Sequence, residues 1–179
     1  MVPEASVRTE RGDDPEERAA VREIIRLAFG RDDEADLVDA LRADASWLPH
    51  LTLVAEVSGT AGRPHSQGRI VGHVAATRLE VGGRPAVALA PLAVHPGHQG
   101  TGVGTRLVHE QARRARAAGE SLVVVLGDPA YYRRFGFVPS APLGLHGPFH
   151  DAGDAFQALV LVAGAAPEGR VTYPAPFGA

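Results

Sequence analysis

The segment Gln99-Gly100-Thr101-Gly102-Val103-Gly104-Thr105 carries the densest chemical signal in the chain. It follows the apolar run Leu92-Ala93-Val94 and opens a stretch whose apolar residues recur at helical spacing. The first turn of a helix leaves N–H groups without partners, and the helix dipole favours an anion there. Glycines at 100, 102 and 104 let the backbone approach a ligand closely, so successive amides can converge on a phosphate. A turn alone needs one such glycine; three alternating ones predict phosphate binding. A dinucleotide site wants G-x-G-x-x-G, and Thr105 occupies the last position. Asp128, after the next apolar run, could imitate the acid that binds a ribose in such a site. As Asp before Pro129 it could equally cap a short helix.

Other chemistries find less support. His95 and His98, or His146 and His150, have no acidic or cysteine partner at ligand spacing, so turn or surface roles and no metal are expected. There is no G-x-S-x-G elbow and no cysteine, hence no thiolate nucleophile and no disulfide framework. All 18 basic residues are arginine, which removes the P-loop lysine and Schiff-base chemistry.

The elements that must hold the glycine segment follow from periodicity. Asp13 or Asp14 offers an N-cap, Pro15 a first helical residue, and Gly30 a stop for the run through Val21, Ile24 and Ile25. A second helix is expected over 33–43. Strands are expected near 5–9, 51–57, 69–80 and 86–94, with 58–68 a Gly/Pro/Ser-rich loop and the middle strands an antiparallel meander. After the glycine turn a helix runs to about Ala118 and Gly119 closes it. Ser121–Gly127 is almost wholly apolar, as for a strand buried on both faces, so strand, helix and strand form a crossover. A short helix over 129–135 and a strand over 156–162 complete one domain, residues 1–162. The tail 163–179, rich in Ala, Gly and Pro, is expected to be poorly packed.

With 179 residues, 45% hydrophobic and 22% charged, the composition is that of a globular domain. The net charge of −3 disfavours a nucleic-acid binder. No apolar run reaches the roughly 20 residues that cross a bilayer, and the polar, acidic start resembles no secretory signal. A cytoplasmic location is the default expectation.

Gln99, Gly102 and Gly104 match the acyl-CoA loop [Q/R]xxGx[G/A] of the GNAT acetyltransferases, and Leu92-Ala93-Val94-His95-Pro96 resembles the strand that enters it. Tyr131-Tyr132-Arg133-Arg134-Phe135-Gly136-Phe137 resembles the FYEKLGF ending common in that family. The pair of motifs is most similar to the YhbS-like branch, over roughly residues 5–162. The resemblance implies an α/β fold: a mixed, mostly antiparallel central sheet, flanked by helices, whose fourth and fifth strands splay apart. It implies acetyl-CoA as cosubstrate, with Leu92, Ala93 and Val94 presenting backbone groups to the pantetheine arm. The amides of Gly100, Thr101, Gly102, Val103, Gly104 and Thr105 would take the pyrophosphate. Gln99, Asp128, Ala130, Tyr131, Tyr132 and Phe135 complete the expected cofactor wall, and Arg133 and Arg134 stand as phosphate contacts or as a solvated face.

Direct acetyl transfer to a primary amine is the implied reaction. Tyr132 is the expected proton donor to the leaving thiolate, with packing as its alternative role. The fourth strand, ALAPLAV, lacks the glutamate that many relatives carry as base. Glu34, on the second helix, is the candidate retained, beside His73, Glu80, Asp128 and a water chain. A non-catalytic acyl-CoA-binding module is the alternative function. The acceptor is unassigned, a small molecule or a protein amine, with specificity expected from the early helices and residues 139–154. Neither nucleic acid nor membrane is an expected partner, and monomer and homodimer both stay open.

Overall fold

The computed structural model describes residues 5–58 and 68–178; most of the loop expected over 58–68 lies outside the described residues. Asp14 caps the first helix, α1 (Pro15–Phe29), by accepting the N–H groups of Glu16 and Glu17, and left-handed Gly30 ends it. These are the cap and stop that the sequence signals. A second helix, α2 (Asp33–Arg42), follows. Strands β1 (Ser6–Thr9), β2 (Leu53–Val57), β3 (Arg69–Val81) and β4 (Arg84–Val94) form a continuous antiparallel array.

From β4 the chain turns through the glycine segment into α3 (Val103–Ala117) and returns as β5 (Leu122–Leu126), parallel to β4. A one-turn helix, α4 (Pro129–Tyr132), leads to β6 (Val138–Pro139), β7 (Leu145–His146), β8 (Phe156–Val160) and β9 (Gly169–Thr172). The main sheet has the order β1-β2-β3-β4-β5-β8-β6.

Both faces of this sheet are covered, and β5 shows why its sequence is unbroken in hydrophobicity. Val123 and Val125 join a cluster with Leu107 and Val108 of α3, while Leu122 and Val124 join another with Phe156 and Tyr173. Each such valine or leucine is worth about 1.5–3 kcal/mol when fully buried. On the α1–α2 side, Val21 and Ile25 pack on Val54, Ala75 and Ala93.

The tail departs from expectation. Instead of lying loosely from Ala163, it supplies β9, which pairs with the end of β3 (Glu80↔Thr172, Val81↔Val171) and with β7. Val171 is 1% and Tyr173 7% exposed. Alternating apolar residues in a short strand bury as well as those of a long one, and the neighbouring Pro and Gly punctuate without preventing pairing.

Candidate active site

Strand β4 is paired to β5 only from Val87↔Val123 to Leu89↔Val125, although it runs on to Val94 against β3. The divergence begins at a bulge: Ala90 and Pro91 face the single residue Ala75, between the pairs Leu89↔Ala76 and Leu92↔Val74. A bulge bends its strand, and Pro91 has no N–H to offer a neighbour. Beyond it, the His95 N–H donates to Val71 O at 2.9 Å. Alternation in an antiparallel ladder then turns the backbone groups of Ala93 towards His73 of β3, and those of Leu92 and Val94 outward into the splay. The Gln99 side chain already donates to Val94 O at 3.1 Å, clipping the glycine loop to the strand end. Of the three strand residues expected at the cofactor, Ala93 is therefore the exception: its backbone faces β3 and its side chain is buried against α1.

The glycine loop borders a cavity of about 430 Å³ walled by Val94, Gln99, Gly100, Gly102, Gly104 and Thr105, with His98, Tyr131 and Arg134. Gly102 holds φ +90 at the N-cap of α3, and a Cβ there would meet nothing within 4 Å, so backbone freedom is what it supplies. Gly104 serves the other purpose, close approach: a Cβ would stand 2.4 Å from the Tyr131 hydroxyl oxygen and 3.5 Å from Val94 Cγ2. No side chain caps α3. The N–H groups of Val103, Gly104 and Thr105 in its first turn therefore have no partner within the helix. Val103 sends its side chain into the core, and Thr101 bonds His98 O through its hydroxyl at 2.6 Å, holding the loop.

Arg134 lies over the Tyr131 ring, 4.2 Å from its centroid, and donates to Tyr131 O, so its guanidinium borders the cavity as a fixed cation. The histidines have other employment. His95 accepts the Gly97 N–H at Nδ1 and meets Arg69 at Nε2, and burial and the Arg69 charge lower its pKa.

A second cavity, about 360 Å³, lies in the splay itself. Leu89, Ala90, Pro91 and Leu92 of β4 line it with Val125, Leu126 and Gly127, as do Tyr132 and Glu34. The two cavities adjoin along the outward backbone from Leu92 to Val94 and across the touching rings of Tyr131 and Tyr132, 5.1 Å apart. Tyr132 is 8% exposed, its ring packed on Phe137 and over Gly127, where a Cβ would come within 2.5 Å of it. Its hydroxyl has no hydrogen-bond partner among the described residues. Burial, and the neighbouring Tyr131, push its pKa well above that of an ordinary phenol, so it is a neutral donor aimed at the splay.

The structure does not gather every expected residue. Asp128 is the N-cap of α4, accepting Ala130 N–H at 2.8 Å, and neither it nor Ala130 walls either cavity. Phe135 packs on Tyr131 and His109 behind the site. His73 is buried against Glu10 (Nε2 to Oε2, 3.1 Å) and lines neither cavity, and Glu80 is on the β9 edge. Glu34 does reach the splay, but Arg31 binds its carboxylate (Nε to Oε1 3.1 Å and to Oε2 3.0 Å) and holds its pKa below the usual range. A depressed carboxylate is a weak proton acceptor at neutral pH. The sequence reading missed the far wall of the splay: Phe149, Tyr173 and Phe177, the last two from the tail. Their signal was the two aromatics, Tyr173 and Phe177, in a tail otherwise rich in Ala, Gly and Pro.

Four antiparallel strands precede the glycine turn, where a dinucleotide fold has its loop after the first strand, which removes that alternative. Comparison with known proteins gives the same answer. The acetyltransferase (GNAT) domain family matches residues 49–139. The uncharacterized N-acetyltransferase YjhQ of Escherichia coli K12 is 41% identical over 132 residues, 72% of this chain and 68% of that protein. YhbS of the same organism is 34% identical over 145 residues, covering 80% and 81%. The crystal structure of E. coli YhbS in complex with CoA superposes with TM-score 0.86 at 31% identity, covering 100% of this chain and 94% of that one. A GNAT acetyltransferase from Brucella melitensis in complex with acetyl-CoA gives 0.74 at 32%, covering 97% of each. Splayed strands, glycine loop and relatives agree: the chain belongs to the GNAT family of N-acetyltransferases.

Proposed function

We propose that this chain transfers the acetyl group of acetyl-CoA directly to a primary amine, without a covalent enzyme intermediate. The observation that carries the reading is the pair of neighbouring cavities along β4, one at the glycine loop and one in the splay, with Tyr132 and its unpartnered hydroxyl on the wall of the second. The glycine loop suits the pyrophosphate: free amides, the α3 dipole and the Arg134 cation all favour an anion there. Leu92 and Val94 offer strand-like hydrogen bonds to the pantetheine amides, which leads the thioester into the splay. Binding of CoA and acetyl-CoA by the two structural relatives supports the same path.

In the transfer step the neutral amine nitrogen attacks the thioester carbonyl carbon. The outward N–H of Leu92 or Val94 donates to the developing oxyanion. The C–S bond then breaks, and the Tyr132 hydroxyl donates its proton to the departing sulfur. Overall, an ammonium and acetyl-CoA give an amide, free CoA and one proton released to water. Tyr132 regains its proton from the amine nitrogen through solvent. Proton loss from the ammonium falls to water rather than to a strong base, because Glu34 is held anionic by Arg31.

Among the described residues no helix is long and apolar enough to cross a membrane. We place the reaction in the cytoplasm, where acetyl-CoA is available and a cysteine-free chain meets no need for disulfides; a monomer and a homodimer both accommodate the cleft. The test is acceptor-dependent release of CoA thiol by purified protein, with calorimetric titration of acetyl-CoA alongside. Tight binding with no release towards any amine would replace transfer by the non-catalytic acyl-CoA module.

A further inference from the structure

We infer that the acceptor is a small monoamine with an aromatic or bulky apolar body, its ring seated between the tail and the loop before β8 and its ammonium drawn to Glu34. This rests on the transferase reading above and adds the class of substrate. The outer half of the splay cavity is an aromatic wall. Phe149 meets Tyr173 edge-on with ring centroids 5.0 Å apart, and Tyr173 meets Phe177 at 4.9 Å. Phe29 of α1 and Leu37 of α2 line the same cavity. Phe29 is 41% and Leu126 45% exposed, two of the five large apolar side chains left exposed among the described residues, and both line this cavity. Exposure of that kind marks a surface awaiting an apolar ligand.

Charge narrows the class. Of the described residues that wall this cavity, Glu34 alone carries a charge at neutral pH. Amino acids would bring a carboxylate with no cation to meet it. Polyamines and aminoglycosides would bring further ammonium groups against phenylalanine and leucine, which is costly without partners. One carboxylate matches one ammonium. Arg31 is 61% and Glu34 15% exposed, so the guanidinium can swing out into water while the carboxylate stays at the cavity wall to meet an ammonium. The size is compatible: a cavity of about 360 Å³ can receive the acetyl end of the arm together with a single ring on a short chain.

Turnover with acetyl-CoA should be compared for 2-phenylethylamine, n-butylamine, putrescine and a lysine-containing peptide. The expected result is a kcat/KM for 2-phenylethylamine at least tenfold above each of the others. Phe149→Ala and Phe177→Ala should raise its KM severalfold while leaving the KM of acetyl-CoA unchanged. CoA release with putrescine or the peptide equal to or faster than with 2-phenylethylamine would overturn the substrate class and leave the transferase intact. No release with any of the four, despite acetyl-CoA binding, would remove the transferase reading and this inference with it. The comparison among substrates uses the unaltered chain, so it stands even where a variant fails to fold.

Discussion

Charge at Gly102 should decide whether the phosphates sit on the glycine loop. Its backbone is left-handed, and a Cβ would project into open cavity with nothing within 4 Å. Asn and Asp are the two non-glycine residues that best tolerate that conformation, and they have nearly the same shape. Gly102→Asn therefore measures strain and bulk, and Gly102→Asp adds one negative charge. At about 5 Å from a phosphate charge, repulsion is about 1 kcal/mol in bulk water and about 3 kcal/mol at the dielectric of a protein surface. Taking about 2 kcal/mol, the Asp variant should bind acetyl-CoA roughly 30-fold more weakly than the Asn variant. Calorimetric titration of both at low salt measures the ratio. It should shrink as salt rises, because the screening length falls to about 3 Å at 1 M. Equal affinities for the two variants would refute the placement of the pyrophosphate, whatever either does relative to the unaltered chain.

Tyr132→Phe should lower kcat about 100-fold, the usual scale of a lost proton donor, and leave the acetyl-CoA dissociation constant unchanged in calorimetry. The raised phenol pKa means that turnover in the unaltered chain should not fall through ionisation of this group up to pH 10. A further prediction concerns stability. Glu17, with its side chain 2% exposed, accepts from both terminal nitrogens of the Arg8 guanidinium at 2.9 Å and from Arg11 N and Nε at 2.7 and 2.8 Å, tying β1 to α1. Burial opposes its ionisation, but the bonds from Arg8 and Arg11 win and hold its pKa at about 2. Glu17→Gln should cost about 2–3 kcal/mol in denaturant unfolding at pH 7. Because the folded value is depressed below the unfolded one near 4.3, this stability is complete above that pH and fades as pH drops towards 2. The Gln variant should lack that part of the acid slope.

The fold was legible wherever a local rule decided it. Asp14, Pro15 and Gly30 delimit α1 by capping chemistry alone, and the unbroken apolar run of β5 follows from burial on both faces. The tail was illegible because its partners are remote. Val171 and Tyr173 find Val81 and Phe149, and a composition of Ala, Gly and Pro says nothing of such pairings. Ladder parity was hidden in the same way. That Leu92 and Val94 face the splay while Ala93 faces β3 depends on the register with His73, which no single strand carries in its sequence.

Glu34 was visible as an acid near the acceptor helices, whereas its pairing with Arg31, which lies just before the N-cap of α2, emerges only from the folded chain. A carboxylate in that state acts on charge rather than as a proton acceptor, and pH separates the two roles. If Glu34 were the base, its protonation would control kcat at acid pH and Glu34→Gln would flatten that limb. As an ammonium anchor it acts on KM instead. In the unaltered chain, raising the pH through the amine's own pKa should raise kcat, as the attacking free base forms, while KM for the amine also rises as the anchored cation disappears. Glu34→Gln should retain the rise in kcat and lose most of the slope in KM. Steady-state kinetics of 2-phenylethylamine between pH 6.5 and 10 would distinguish these outcomes, and a kcat profile altered with KM untouched would return Glu34 to the role of base.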